Sequence, residues 1–187
     1  MDIWKELQDE GVDYALLEEI RRFAAAHPVP PEAAARIPKP HYFYYGREVW
    51  ESAAAALLCT KKYRRQGAVL LLGLLCGLLV GNVCLKHLVA RARPCWLDES
   101  VHLLIASPTD YSFPSGHTLS STISATILTK ADRRFGYAAI PLAVLLAFSR
   151  LYLFVHFPSD VLAGAVLGLV IGEVVSRYGP KLFRRRG

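Results

Sequence analysis

A chain of 187 residues is the size of one domain, and 53% apolar beside 20% charged residues excludes a disordered or collagen-like polymer. The formal net charge of +6 would suit an anionic partner, but Lys and Arg fall in short clusters between apolar stretches, the pattern of loops flanking membrane spans rather than of a nucleic-acid surface. Cys59, Cys76, Cys84 and Cys95 have neither zinc-site nor disulfide-framework spacing, so neither a metal nor a redox role follows from them.

Met1 to Asp13 is acidic and lacks the basic start and apolar run of a cleavable signal, so insertion is expected to rest on internal spans. From Asp2 to His27, Trp4, Leu7, Leu16, Ile20 and Phe23 recur at helical spacing among charged residues. This describes an amphipathic helix, expected to lie along the membrane surface. Pro28, Pro30, Pro31, Pro38 and Pro40 break the pattern, and Tyr42-Phe43-Tyr44-Tyr45 suits an interfacial belt. Residues 1–40 thus form an interfacial segment, and 41–187 a membrane-embedded domain.

Gln66 to Leu85 carries no charge and is long enough to cross a hydrocarbon core of about 30 Å. Further apolar stretches follow at Ser115 to Thr129, Phe135 to Val155 and Ser159 to Ser176. Tyr44 to Thr60 is a weaker span, because Arg47, Glu48 and Glu51 would be costly in lipid and must face protein or water. The expected fold is all-α: a polytopic helix bundle of about five spans plus the N-terminal amphipathic helix.

The basic clusters Lys61-Lys62-x-Arg64-Arg65, Lys130 with Arg133 and Arg134, and Arg177 to Arg186 are separated by two crossings each, so all share one side. The bias of Lys and Arg makes that side the cytoplasm and puts the C-terminus there. Lys86 to Pro114 and Arg150 to Asp160 then face outward from a plasma membrane, and these outward segments hold every residue with chemical promise.

Lys86 and, after six residues, Arg93-Pro94 supply two fixed cations suited to phosphate, with Arg able to grip two oxygens. Taken alone they read equally as basic residues snorkelling from a helix end, as do His87 and Arg91. Pro114-Ser115-Gly116-His117 opens an apolar helix, where backbone N–H groups bind anions and His117 could donate a proton; an ordinary turn and cap has the same form. Arg150, five residues, His156, three residues and Asp160 offer an imidazole whose tautomer a carboxylate fixes, leaving the other nitrogen to attack. At a spacing of four, His156 and Asp160 would share a helical face, although Pro158 interrupts it; a structural His–Asp bond and a metal pair remain open for this element.

Taken together, Lys86-x6-Arg93-Pro94, Pro114-Ser115-Gly116-His117 and Ser149-Arg150-x5-His156-x3-Asp160 resemble the three-part signature of the phosphatidic acid phosphatase type 2 superfamily, over roughly residues 44–177. The resemblance implies a helical core and a metal-independent phosphatase without cofactor. It further implies His156 as nucleophile, Asp160 supporting its charge, His117 as acid and then base, and Lys86, Arg93, Ser115, Gly116 and Arg150 holding the phosphate. A site at the outer span ends favours a phosphorylated lipid, with undecaprenyl diphosphate ranked ahead of phosphatidylglycerophosphate and phosphatidate by analogy with compact family members. A lipid phosphotransferase and a non-catalytic lipid-binding or transport protein are the alternatives; the second has no use for a nucleophile, carboxylate and acid together. Asp98, Glu99 and Asp110 read as solvated loop acids, Trp96, Tyr111 and Phe113 as interfacial aromatics, and Ser120, Ser121, Ser124 and Thr126 as helix-packing residues.

Overall fold

The computed structural model describes residues 12–30, 32, 45–98 and 100–183, and all regular structure among them is helical. Helix α1 spans Val12–Ala26 and α2 Tyr45–Cys59. Helix α3, Arg64–Gly77, runs through a π-helical stretch, Leu78–Leu85, into the single turn α4, Lys86–Val89. After the short α5, Pro94–Leu97, come α6, Gly116–Ala131, α7, Arg133–Tyr152, and α8, Pro158–Leu182.

Three segments are long and apolar enough to cross a membrane: Arg64–Leu97, Arg133–Tyr152 and Pro158–Leu182, with mean hydropathies of 2.5, 1.5 and 1.7. Of the five expected spans, these are the ones that length and composition support. Helices α2 and α6 have 15 and 16 residues, and at 1.5 Å per residue they fall short of a full hydrocarbon core. Helix α6 is the interior element, packing against α3, α7 and α8, while α2 leans on α3 and α6 with Val49 exposed.

Small residues let α6 occupy this central place. Gly164 and Gly168 of α8 lie so close to α6 that an added Cβ would come within 2.7 Å of the Ser115 carbonyl oxygen and 2.9 Å of the Leu119 carbonyl oxygen. Of the hydroxyls read as packing residues, Ser124 and Thr126 donate to the carbonyls of Ser120 and Thr122, both at 2.8 Å, and Ser121 accepts the buried Trp50 indole N–H at 2.9 Å, whereas Ser120 lines a cavity at the motif end of the bundle.

The three basic linkers gather at one end of the bundle, where Arg65 donates to the Pro180 carbonyl and Lys130 pairs with Glu173. The motif loops lie at the other end. Helix α1 joins them there, through buried Leu17, which packs in a cluster with Cys95, Ile105, Leu153, Phe154, Val155 and Phe157. Arg21 donates to Asp98 at 2.9 Å and the Tyr152 hydroxyl to the His27 carbonyl at 2.9 Å. The amphipathic helix is therefore docked on protein, with Leu16 and Phe23 half exposed beside it; docking also occupies Asp98, which the sequence reading left to solvent. The expected start of that helix before residue 12, and Tyr42, Phe43 and Tyr44, lie outside the described residues.

Helix propensity alone would favour Ala over Gly in mid-helix by about 1 kcal/mol. Gly164→Ala and Gly168→Ala are nevertheless expected to lower the thermal unfolding midpoint in detergent, because overpacking costs on the order of 1–3 kcal/mol. A control change at lipid-facing Val166 should leave the midpoint unmoved; a rise with both Ala variants would contradict the close contact.

Candidate active site

Helix α4 ends at Ala90, whose left-handed backbone (φ 49°) turns the chain so that Arg91-Ala92-Arg93 runs extended into Pro94, the first residue of α5. Arg93 is wholly buried. Its guanidinium donates to the Asp110 carbonyl at 2.6 Å, the Asp110 carboxylate at 2.7 Å, the Val155 carbonyl at 2.7 Å and the Tyr111 carbonyl at 3.2 Å. The Lys86 ammonium, also buried, pairs with the other oxygen of the Asp110 carboxylate. Asp110 thus bridges both cations of the first motif, although its side chain is 42% exposed. This corrects the reading of Asp110 as a solvated loop acid. Burial works against its charge, but Lys86 and Arg93 outweigh it and hold the carboxyl below the usual range.

Helix α6 begins at Gly116 with Ser115 as its N-cap, and Ser115 makes no side-chain cap bond. Ser115 is fully buried: its N–H donates to the Asp160 carbonyl at 3.0 Å, and its hydroxyl accepts from Thr118 at 3.0 Å. The N–H groups of the first helical turn have no intrahelical acceptor and point out of the helix end with its positive dipole. At Gly116 a Cβ would sit 2.9 Å from Asn82 Oδ1, so only glycine leaves that approach open.

Helix α8 starts at Pro158, so His156 precedes it and the two residues do not share a helical face, as their spacing had suggested. They meet because Asp160, in the first turn, folds back to accept the Phe157 N–H at 2.8 Å. His156 Nδ1 then lies 3.6 Å from Asp160 Oδ2, an ion-pair separation longer than an ordinary hydrogen bond. On the other side of the ring, Nε2 is 3.1 Å from Arg93 Nη1. A guanidinium can only donate, so Nε2 is the acceptor nitrogen and the ring proton belongs on Nδ1, facing the carboxylate. Burial, with Arg93 and Lys86 adding to it against the pull of Asp160, pushes the His156 pKa from 6.5 down to about 4. The ring is neutral, with a lone pair, at any pH near neutrality.

A cavity of about 210 Å³ brings together Lys86, Arg93, Gly116, His117 and His156 with Asn82 and Asp110. Its remaining wall is mainly apolar, including Leu74, Leu78 and Leu119. Ser115, Arg150 and Asp160 are buried but do not line it. Arg150, in the last turn of α7, donates through Nε and Nη2 to its neighbour Ser149 at 3.1 and 3.0 Å.

Three residues at the site had been missed. Arg91, grouped with snorkelling residues, is 3% exposed and donates to the Asp160 carboxylate at 2.7 Å, Ser159 Oγ at 2.6 Å and Asp13 at 2.9 Å, with its guanidinium 4.0 Å from the Phe157 ring centroid. Ser112 gives its hydroxyl to the same Asp160 carboxylate. Asn82 Oδ1 is buried beside the cavity without a hydrogen-bond partner among the described residues. The R-x-R-P order was a usable signal for Arg91; Ser112 and Asn82 gave none. Trp96, read as interfacial, ties the Pro108 carbonyl at 3.0 Å, whereas His87 stays exposed as expected.

The resident Asp110 carboxylate occupies the charges that would receive an anion. Asp110→Asn is expected to tighten the binding of inorganic phosphate, followed by titration calorimetry at neutral pH, by about threefold to tenfold, the scale of one like charge at a partly exposed site. Unchanged or weaker binding would contradict that competition.

Known proteins resemble this chain in sequence and in fold. The family model described as the PAP2 superfamily matches residues 66–184, more than half of the chain. An undecaprenyl-diphosphatase of Sulfolobus acidocaldarius is 40% identical over 126 residues, 66% of this chain and 61% of that protein. The chain thus spans less than two thirds of that relative's length. Among solved structures, LpxE of Aquifex aeolicus superposes with a TM-score of 0.72 at 26% identity, over 91% of this chain and 98% of that one. A PAP2-type phosphatidylglycerolphosphate phosphatase of Bacillus subtilis does so with 0.67 at 26% identity, over 98% and 94%.

Proposed function

This chain belongs to the PAP2 superfamily, and from that premise we propose that it is a membrane lipid phosphatase acting through a phosphohistidine intermediate at the extracytoplasmic face. The observation that carries the proposal is the imidazole of His156, held neutral between a carboxylate at Nδ1 and a cation at Nε2, at the wall of a cationic cavity.

The phosphate enters between Lys86 and Arg93 and takes over the place of the Asp110 carboxylate. Gly116 offers its backbone N–H at the start of α6, and Ser115 and Arg150 complete the set after local rearrangement of their present bonds. His156 Nε2 attacks phosphorus, Asp160 stabilises the cationic ring that forms, and His117 gives a proton to the departing oxygen. Water then attacks the phosphohistidine with His117 as base, freeing phosphate and restoring the imidazole. The cations and backbone donors offset charge on the equatorial oxygens, commonly the largest contribution to such a step. No step calls for a metal ion.

A phosphorylated lipid fits because the cavity joins a polar end to the apolar side chains of Leu74, Leu78 and Leu119 within a membrane bundle. Undecaprenyl diphosphate ranks first, supported by the name of the Sulfolobus relative; phosphatidylglycerophosphate and phosphatidate follow. The outward orientation rests on the three basic linkers gathered at the opposite end of the bundle, taken as cytoplasmic in a plasma membrane.

Purified protein in detergent with a chelator should release free phosphate from at least one of these three lipids, and His156→Ala should lower that rate by about a thousandfold or more. Appearance of a new phospholipid in place of free phosphate would indicate a phosphotransferase. No turnover of any lipid by folded protein would leave a binding role.

A further inference from the structure

We propose that Asp13, on the N-terminal helix α1, is a positioning residue of the catalytic machinery, setting the charge that Asp160 presents to His156 by sharing the Arg91 guanidinium. The proposal rests on His156 being the nucleophile.

Asp13 lies 78 or more residues away from its partners in sequence, yet three bonds lock it in place. Its Oδ2 accepts from Arg91 Nη2 at 2.9 Å and from the Ser159 hydroxyl; its Oδ1 accepts from the Ser159 N–H at 2.9 Å. Arg91 Nη1 completes the link by donating to Asp160 Oδ1 at 2.7 Å, and to Ser159 Oγ at 2.6 Å. A continuous chain therefore runs from Asp13 through Arg91 and Asp160 to His156. Leu17, the 5.3 Å edge contact of Tyr14 with Phe157, and the Arg21–Asp98 pair hold α1 against this end of the bundle.

The sum of charges gives the chain its meaning. Arg91 with Asp160 alone is neutral; with Asp13 added the group carries one net negative charge. That charge faces a ring that becomes cationic when phosphorus is bound, and which already has Arg93 and Lys86 on its other side, with Asp110 offsetting them only until phosphate displaces it. Ser112 and the Phe157 N–H add dipoles to Asp160 but no charge. Arg150, the remaining buried cation from α7, is tied to Ser149. Among the described residues Asp13 is thus the one acidic group contributed to this relay from outside the three motifs, and α1 acts as part of the site rather than as an anchor.

The test uses the full chain with Asp13→Asn and Asp13→Glu. Loss of the charge should lower kcat by about fivefold to tenfold with KM within about twofold, the order expected of one unit charge acting through a guanidinium. It should also move the His156 ring titration, followed by NMR of 15N-histidine-labelled protein, to lower pH, because the cationic ring loses support. Glu should restore both readouts. An unshifted titration in Asp13→Asn, whatever happens to the rate or the melting temperature, overturns the proposal and leaves a structural anchor. The NMR readout needs no turnover, so a shifted titration in a protein that hydrolyses no lipid would uphold the relay and reject the phosphatase reading.

Discussion

A carboxylate with no solvent exposure, Asp160, sits where three stretches of chain remote in sequence converge. Leaving such a charge unpaired would cost several kcal/mol, and the fold answers with donors from each neighbouring segment: Arg91 after α4, Ser112 from the long loop, and the Phe157 N–H at the mouth of α8. The Asp160 backbone carbonyl meanwhile accepts the Ser115 N–H, which fixes the start of α6. One residue therefore ties together the three motif segments, and the position of His156 follows from it. The glycines of α8 allow this convergence, since larger side chains at Gly164 and Gly168 would push α6 and its N-terminus away.

The site is a concentration of cations that the resting protein must neutralise. Lys86 and Arg93 are buried and share Asp110, whose carboxylate pairs with both side chains. The same arrangement explains how a lipid-embedded protein tolerates these charges: each is met by a partner at the loop end of the bundle, away from the hydrocarbon-facing surfaces of α7 and α8. In the proposed mechanism an incoming phosphate exchanges one anion for another, so the cations need not be desolvated afresh during binding.

The helices were legible in the sequence because apolar runs and their basic flanks are local signals. The five predicted segments begin and end within a few residues of α2, α3 with its π-helical continuation, α6, α7 and α8, except that α8 runs six residues further, to Leu182. The motif residues were legible through joint spacing. What could not be read was anything depending on which loops meet. Arg91 looked like a snorkelling residue because its partners, Asp13 and Asp160, are 78 and 69 positions away. Asp110 looked solvated because nothing local ties it to Lys86. The first helix was recognised as amphipathic, but periodicity cannot say whether an apolar face meets lipid or protein, and Leu17 meets protein. The His156–Asp160 contact was anticipated for the wrong geometric reason: the pair meets across a helix start, where Pro158 favours the first turn rather than interrupting it.

In the proposed mechanism His156 Nε2 becomes bonded to phosphorus. Rapid acid-free quenching of the protein with 32P-labelled lipid diphosphate, followed by peptide mapping, tests it directly. The expected label is stable in base, lost in acid, and confined to the peptide carrying His156. Hydrolysis that proceeds with no labelled peptide under conditions that trap the intermediate, or label on His117 instead, would contradict it.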